Sequence, residues 1–154
     1  MKNRKTQFAA VFFCFVLAFA LAACQDDAYK AAARASDTIA SSVSAGISIT
    51  SDLYTQKLIT QAEKNDVATI LLNITDANTE FRNQVKTLHA KPAVTKADYL
   101  TAAGSFTQSV RNLLASGDLH VKDPSAQLKL DTVLKAIQTG VDGIAALITA
   151  AKGS

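Results

Sequence analysis

The chain has 154 residues, enough for one domain that buries a core without disulfide or metal staples. Its net charge of +3 comes from 16 Lys plus Arg against 13 Asp plus Glu, and Lys2, Arg4 and Lys5 account for the whole excess. From residue 24 onward the charges balance, which removes the net basic charge on which nucleic-acid binding relies, and two cysteines ten residues apart (Cys14 and Cys24) do not make a disulfide framework.

In chain order, the basic start Lys2-Asn3-Arg4-Lys5 leads into an uncharged run, Phe8 to Ala23, closed by Cys24. A charged start, a short apolar centre and a small-residue cut site describe a secretory signal peptide. The 16 residues of the run fall short of the roughly 20 that span a bilayer comfortably. Leu21-Ala22-Ala23-Cys24 resembles the lipobox of bacterial lipoproteins at every position. The resemblance covers only the first 24 residues. It implies that residues 1–23 are removed as a signal peptide and that Cys24 becomes an acylated first residue carrying a diacylglyceryl thioether. The implied partner is therefore a membrane, held through the lipid anchor on Cys24 from its extracytoplasmic side, in the cell envelope. Acyl chains contribute about 0.8 kcal/mol per buried methylene, so two or three of them hold a protein firmly. Gln25 is not the aspartate that such families commonly use for inner-membrane retention, which implies the periplasmic face of the outer membrane in a host with two membranes. With Cys14 removed and Cys24 acylated, no thiol remains for a disulfide. Residues 24–28 are then the lipidated N-terminus with a short tether, and residues 29–152 form the folded domain.

The remainder reads as helix almost throughout. Tyr29, Ala32/Ala33, Ser36, Ile39, Val43, Ile47, Thr50, Tyr54 and Leu58 step by three and four, predicting a first helix over about residues 27–62. The polar stretch Glu63-Lys64-Asn65-Asp66 reads as a break with Asn65 as a cap. A second helix follows with Val67, Ile70/Leu71, Ile74, Ala77, Phe81, Val85 and Leu88, and Pro92 stops it. Thr95 and Asp98 approximate a capping box and open a third helix, using Leu100, Ala103, Phe106, Val110, Leu113 and Leu114, with Gly117 as its stop. Asp123-Pro124, a capping acid before proline at the first helical position, starts a fourth. Leu130, Val133/Leu134, Ile137, Val141, Ile144 and Ile148 carry it to Lys152-Gly153. No run alternates with period two. The expected fold is all-α: an antiparallel up-down four-helix bundle with a long first helix, following the cleaved signal peptide. The surplus length of the first helix projects as a stalk at the lipidated end; a kink near Gly46 is the competing layout.

Two segments stand apart. Residues 36–60 hold ten Ser or Thr but only three charges, Asp37, Asp52 and Lys57, where a solvated helix face usually alternates Lys and Glu. Residues 141–151 carry Asp142 as their only charge and follow Gly140, with Gly143 inside, each glycine costing about 1 kcal/mol in a helix interior. The first suggests either an ordinary hydroxyl-rich surface or a contact face; the second suggests a central place in the bundle, with a self-association or membrane-contact surface as the alternative.

No residue set assembles chemistry. His89 and His120 fall at opposite ends of the expected bundle, about 30 Å apart, and cannot share a metal. From residue 24 onward the only glutamates are Glu63 and Glu80, without the Glu-x-x-His motif of di-iron bundles. No haem, nucleophile or phosphate-loop motif is present. Pairs such as Asp66/Asp76 and Glu80/Asp98 are of a kind any helical protein offers. Lys86, Lys91, Lys96 and Lys152 fall at the anchored end, where anionic lipid attracts cations and where a helix-helix turn also needs solvation. The expectation is no catalytic residue, no metal and no cofactor. The expected function is a lipid-anchored interaction or structural module of the envelope, meeting a protein partner or a copy of itself through the Ser/Thr-rich face, with no nucleic-acid partner. A carrier or sensor for a small apolar ligand between the helices is the alternative.

Overall fold

The computed structural model describes the backbone of residues 4–116, 119 and 121–151, and the side chains of residues 27–115, 119 and 121–151. The described residues form four helices and no strand: α1 (Arg4–Thr55), α2 (Gln61–His89), α3 (Lys96–Ser116) and α4 (Pro124–Ala150). The all-helical expectation holds. Helix α1 packs on α2 and α4, α3 packs on the same two, and α1 and α3 touch more sparingly across the middle. The side chain of Cys24, together with Gly117, His120, Lys152 and Gly153, lies outside the described residues.

Helix α1 stops at Thr55, short of residue 62. The Lys57 amide donates to the Tyr54 carbonyl at 2.9 Å and the Leu58 amide to the Leu53 carbonyl at 3.0 Å, the two bonds of a Schellman end. Lys57 takes the left-handed position with φ of 59°. Counted from residue 27, the expected start of the first helix, α1 and α2 are both 29 residues long, so the expected surplus of that part is absent, and Ala28 is already fully buried. Helix α1 is not split into two pieces at Gly46 but runs on to Thr55 as one helix. Gly46 instead lets neighbours close in, since a Cβ there would meet Val133 Cγ1 at 2.9 Å and Leu71 Cδ2 at 3.2 Å. The inward face keeps the expected positions through Val43 and at Thr50, and shifts by one residue only at Gly46 and Leu53. Gly46, Thr50 and Leu53 turn inward, while Ile47 is 46% and Tyr54 37% exposed.

Residues 63–66 are not a break but the first turns of α2. Thr60 is the N-cap, and a capping box joins it to Glu63: the Thr60 amide donates to Glu63 Oε2 at 2.6 Å and the Glu63 amide to Thr60 Oγ1 at 3.2 Å. Asn65, the expected cap, accepts from Gln61 Nε2 at 2.8 Å instead. The other two starts are as expected. The Asp98 carboxylate accepts from both the amide and the hydroxyl of Thr95, at 2.8 and 2.7 Å. Asp123 caps α4 by accepting from the Ala126 amide at 2.8 Å, ahead of Pro124.

The core is built from the apolar stripes. Phe81 of α2 and Phe106 of α3 stack with centroids 4.9 Å apart, and Tyr99 is fully buried beside the expected residues of α3. Ile137, Val141, Ile144 and Ile148 of α4 have no exposed surface, each contributing about 1.5–3 kcal/mol of burial. Among the described residues α4 alone is long and apolar enough to cross a membrane, with a mean hydropathy of 1.3 over its most apolar window. Its apolar stripe faces the bundle interior, but Ala145, Ala146, Leu147, Thr149 and Ala150 are exposed and α4 packs on α1 and α3 alone, so it is an ordinary member of the bundle and not the central helix its sequence suggested.

Candidate functional site

The exposed face of α1 is its most unusual surface. Thr38, Ser41, Ser44, Ser48, Ser51 and Thr55 point outward, as the sequence pattern suggested. Three of these hydroxyls, Thr38, Ser41 and Thr55, and that of the half-buried Ser42 each donate to the carbonyl four residues back at 3.0–3.1 Å. Such back-bonding is a property of Ser and Thr in helices, and it turns the proton inward. Ile47 and Tyr54 lie on the same helix, and Lys64 sits over the Tyr54 ring at 4.5 Å from its centroid.

At the end of the bundle where α1 passes residue 24, Tyr29 stacks on His89 at 4.0 Å and 16°. His89 thus acts as a packing ring at the last turn of α2. Lys96, expected as a turn lysine, does more: its Nζ donates to the carbonyls of Thr149 at 3.1 Å and Ala151 at 2.5 Å. Helix α4 has no basic residue in its own last turn, so Lys96 supplies the positive charge that its C-terminal dipole favours. Lys86 and Lys91 are exposed at this end.

At the opposite end Glu63 does double duty, and sequence reasoning missed it. Its Oε2 closes the α2 capping box while Oε1 accepts from the Lys122 amide at 2.9 Å, tying the α1–α2 connection to the α3–α4 connection. The hydrogen bonds from the Thr60 backbone and side chain and then from Lys122 outweigh desolvation and hold the carboxyl below its usual range. The signal was there to read, as Thr60-x-x-Glu63 is itself a capping-box pattern.

A cleft of about 730 Å³ lies on the outside between α2 and α3. It brings together Asp76, Glu80 and Asp98, of which Glu80 and Asp98 were weighed as a pair; Asp66 is elsewhere. Asp98 is committed to the α3 start, and its bonds from the Thr95 amide and hydroxyl keep it ionised by lowering its pKa. A second groove of about 470 Å³ between α1 and α4 is more apolar, with Leu53, Val133 and the 69% exposed Leu128. Among the described residues no group of three or more His, Cys, Asp or Glu is placed to hold a metal ion.

No protein-family model matches the chain, no curated protein matches it, and no solved structure matches its fold.

Proposed function

We propose that this protein is a lipid-anchored helical module of the cell envelope, held on the extracytoplasmic side of a membrane through Cys24 and working by protein contact. The observation that carries the reading is Leu21-Ala22-Ala23-Cys24 behind a basic start and a 16-residue apolar run. In this reading the helices alternate direction, up-down-up-down. Four contacts support that order: Tyr29 with His89, the Asn78 side-chain amide with the Ser36 carbonyl, Lys96 with Ala151, and Arg111 with Asp142. Residues 1–23 are the signal peptide, and the membrane lies within two turns of Ala28, the first buried residue among those described. The hydroxyl-rich face of α1, carrying Ile47 and Tyr54, is the contact for an envelope protein or a second copy. The reading assigns no catalytic step.

The test is the intact mass of the protein from membranes. A chain beginning at Cys24 and carrying a diacylglyceryl group is the expected result, lost in Cys24→Ser together with membrane retention through a high-salt wash. A mature chain that starts elsewhere, or bears no acyl group, sinks the anchor. In-cell crosslinking of the anchored form, with Cys24→Ser beside it, then identifies the partner. A second reading, ligand carriage, has the α2–α3 cleft behind it; its mixed polar lining fits a small polar solute better than the apolar one anticipated from the sequence. Thermal stabilisation by envelope extracts checks it.

A further inference from the structure

A groove of about 360 Å³ lies between the early turns of the described part of α1 and the last turn of α4. Lys30, Ala31 and Arg34 form one wall, and Leu147, Ala150 and Ala151 the other. Leu147 is 53% exposed, although its neighbours Ile144 and Ile148 are fully buried. It is the one large apolar side chain that α4 turns outward near its C-terminus. Lys30 and Arg34, one helical turn apart, set two cations along the same rim, and both are exposed. Among the described residues Asp27 is the single acid of the lining.

Position 24 precedes Asp27 and Ala31 by three and seven residues on the same unbroken helix, the spacing of one helix face. The rise from residue 24 to Asp27 is about 4.5 Å. The backbone of residue 24 thus lies about one helical turn before Asp27, the first described residue of the groove lining. We propose that the groove is a bilayer-docking surface for anionic phospholipid. Lys30 and Arg34 pair with headgroup phosphates, and Leu147 enters the acyl region beside the chains on Cys24. The α1–α4 edge then lies toward the membrane and fixes the tilt of the bundle. This inference rests on the acylation of Cys24 proposed above. The charge of the rim matches that surface, and juxtamembrane cations are attracted to anionic leaflets within a Debye length.

The experiment uses the lipidated protein in vesicles of phosphatidylcholine with phosphatidylglycerol. Cys14 leaves with the signal and Cys24 is acylated, so a thiol introduced by Leu147→Cys takes an environment-sensitive fluorophore alone. Leu128→Cys, on the first turns of α4, is the control. The expected result is a blue-shifted probe at 147 that loses iodide quenching, a water-like probe at 128, and return of the 147 probe to water on Lys30→Glu with Arg34→Glu. Protein that floats with vesicles while the 147 probe is quenched like the 128 probe overturns the docking surface and leaves the anchor standing. A 147 probe in lipid that ignores both charge reversals overturns the headgroup pairing. Protein that fails to float overturns the anchor, and the docking surface with it.

Discussion

Glycine to alanine at two helical positions is expected to move stability in opposite directions, because only one of them stands at a close helix approach. In a helix interior alanine is favoured over glycine by about 1 kcal/mol. At Gly140 the new methyl would find Ile39 Cγ1 at 3.8 Å, an ordinary contact, so the full gain of about 1 kcal/mol is kept. At Gly46 it would lie 2.9 Å from Val133 Cγ1 and 3.2 and 3.3 Å from the two Leu71 methyls. Val133 is β-branched and stiff at χ1, and Leu71 is buried, so neither yields freely. Overpacking of this kind costs about 1–3 kcal/mol, which outweighs the propensity gain and leaves Gly46→Ala destabilised by about 1 kcal/mol. For a domain of this size that corresponds to roughly 3–5 °C in Tm, down for Gly46→Ala and up by a similar amount for Gly140→Ala. Helical circular dichroism followed through heating and through urea reads both. Val133→Ala supplies the internal check. Alone it removes two half-buried methyls, costing about 1 kcal/mol; combined with Gly46→Ala it should cost less than the two changes added together, since the clash is gone. A Gly46→Ala protein as stabilised as Gly140→Ala, or strict additivity with Val133→Ala, would refute the close approach.

Lys57→Gly should stabilise by about 1 kcal/mol, because a left-handed φ is costly for any residue with a Cβ; an unchanged urea midpoint would remove the Schellman end. Stability should fall as pH drops through the folded-state pKa values of Glu63 and Asp98. Both are lowered by hydrogen bonds, so their contribution is complete above the unfolded carboxyl range and is lost on protonation in acid. Urea midpoints between neutral pH and pH of about 3 check this, and Glu63→Gln should lower the neutral midpoint and flatten the acid limb; parallel curves for wild type and variant would contradict it. Ser36→Ala should raise the midpoint by an amount on the order of 1 kcal/mol. Ser36 is fully buried between α1 and α2, its Oγ has no hydrogen-bond partner among the described residues, and alanine removes that hydroxyl.

The helices were legible where a local signal carried them. Asp123-Pro124 and Thr95 with Asp98 start α4 and α3 because capping chemistry acts within three residues. The end of α1 was not, because the left-handed residue is Lys57 and not glycine, so nothing local marks it. The inward place of Gly46 ahead of Ile47 goes with the close approach of Val133 and Leu71, which no period along a single helix reveals. Cys24 stands on the other side of that divide. Processing signals are linear, so the sequence alone proposes it, while the described side chains begin three residues later. The Lys96 cap and the Leu147 groove both need residues more than fifty positions apart to be brought together, and only the packed helices do that.

The hydroxyl face of α1 gains a definite chemical character from its back-bonding. A hydroxyl has one proton, and in Thr38, Ser41, Ser42 and Thr55 that proton is spent on the helix's own carbonyls. At these positions what remains for a partner is methyls, methylenes and oxygen lone pairs, with Ile47 and Tyr54 exposed on the same helix. Neutral oxygens that keep one internal bond cost far less to dehydrate than a row of lysines and glutamates, for which a partner would have to match every charge. A partner meeting this face therefore needs donors spaced along one helix length and small apolar side chains between them. A second helix with Ser, Thr or Ala at the same spacing meets that requirement, and so does a copy of α1 itself. The low charge of residues 36–60 is then a property of the contact proposed for this face.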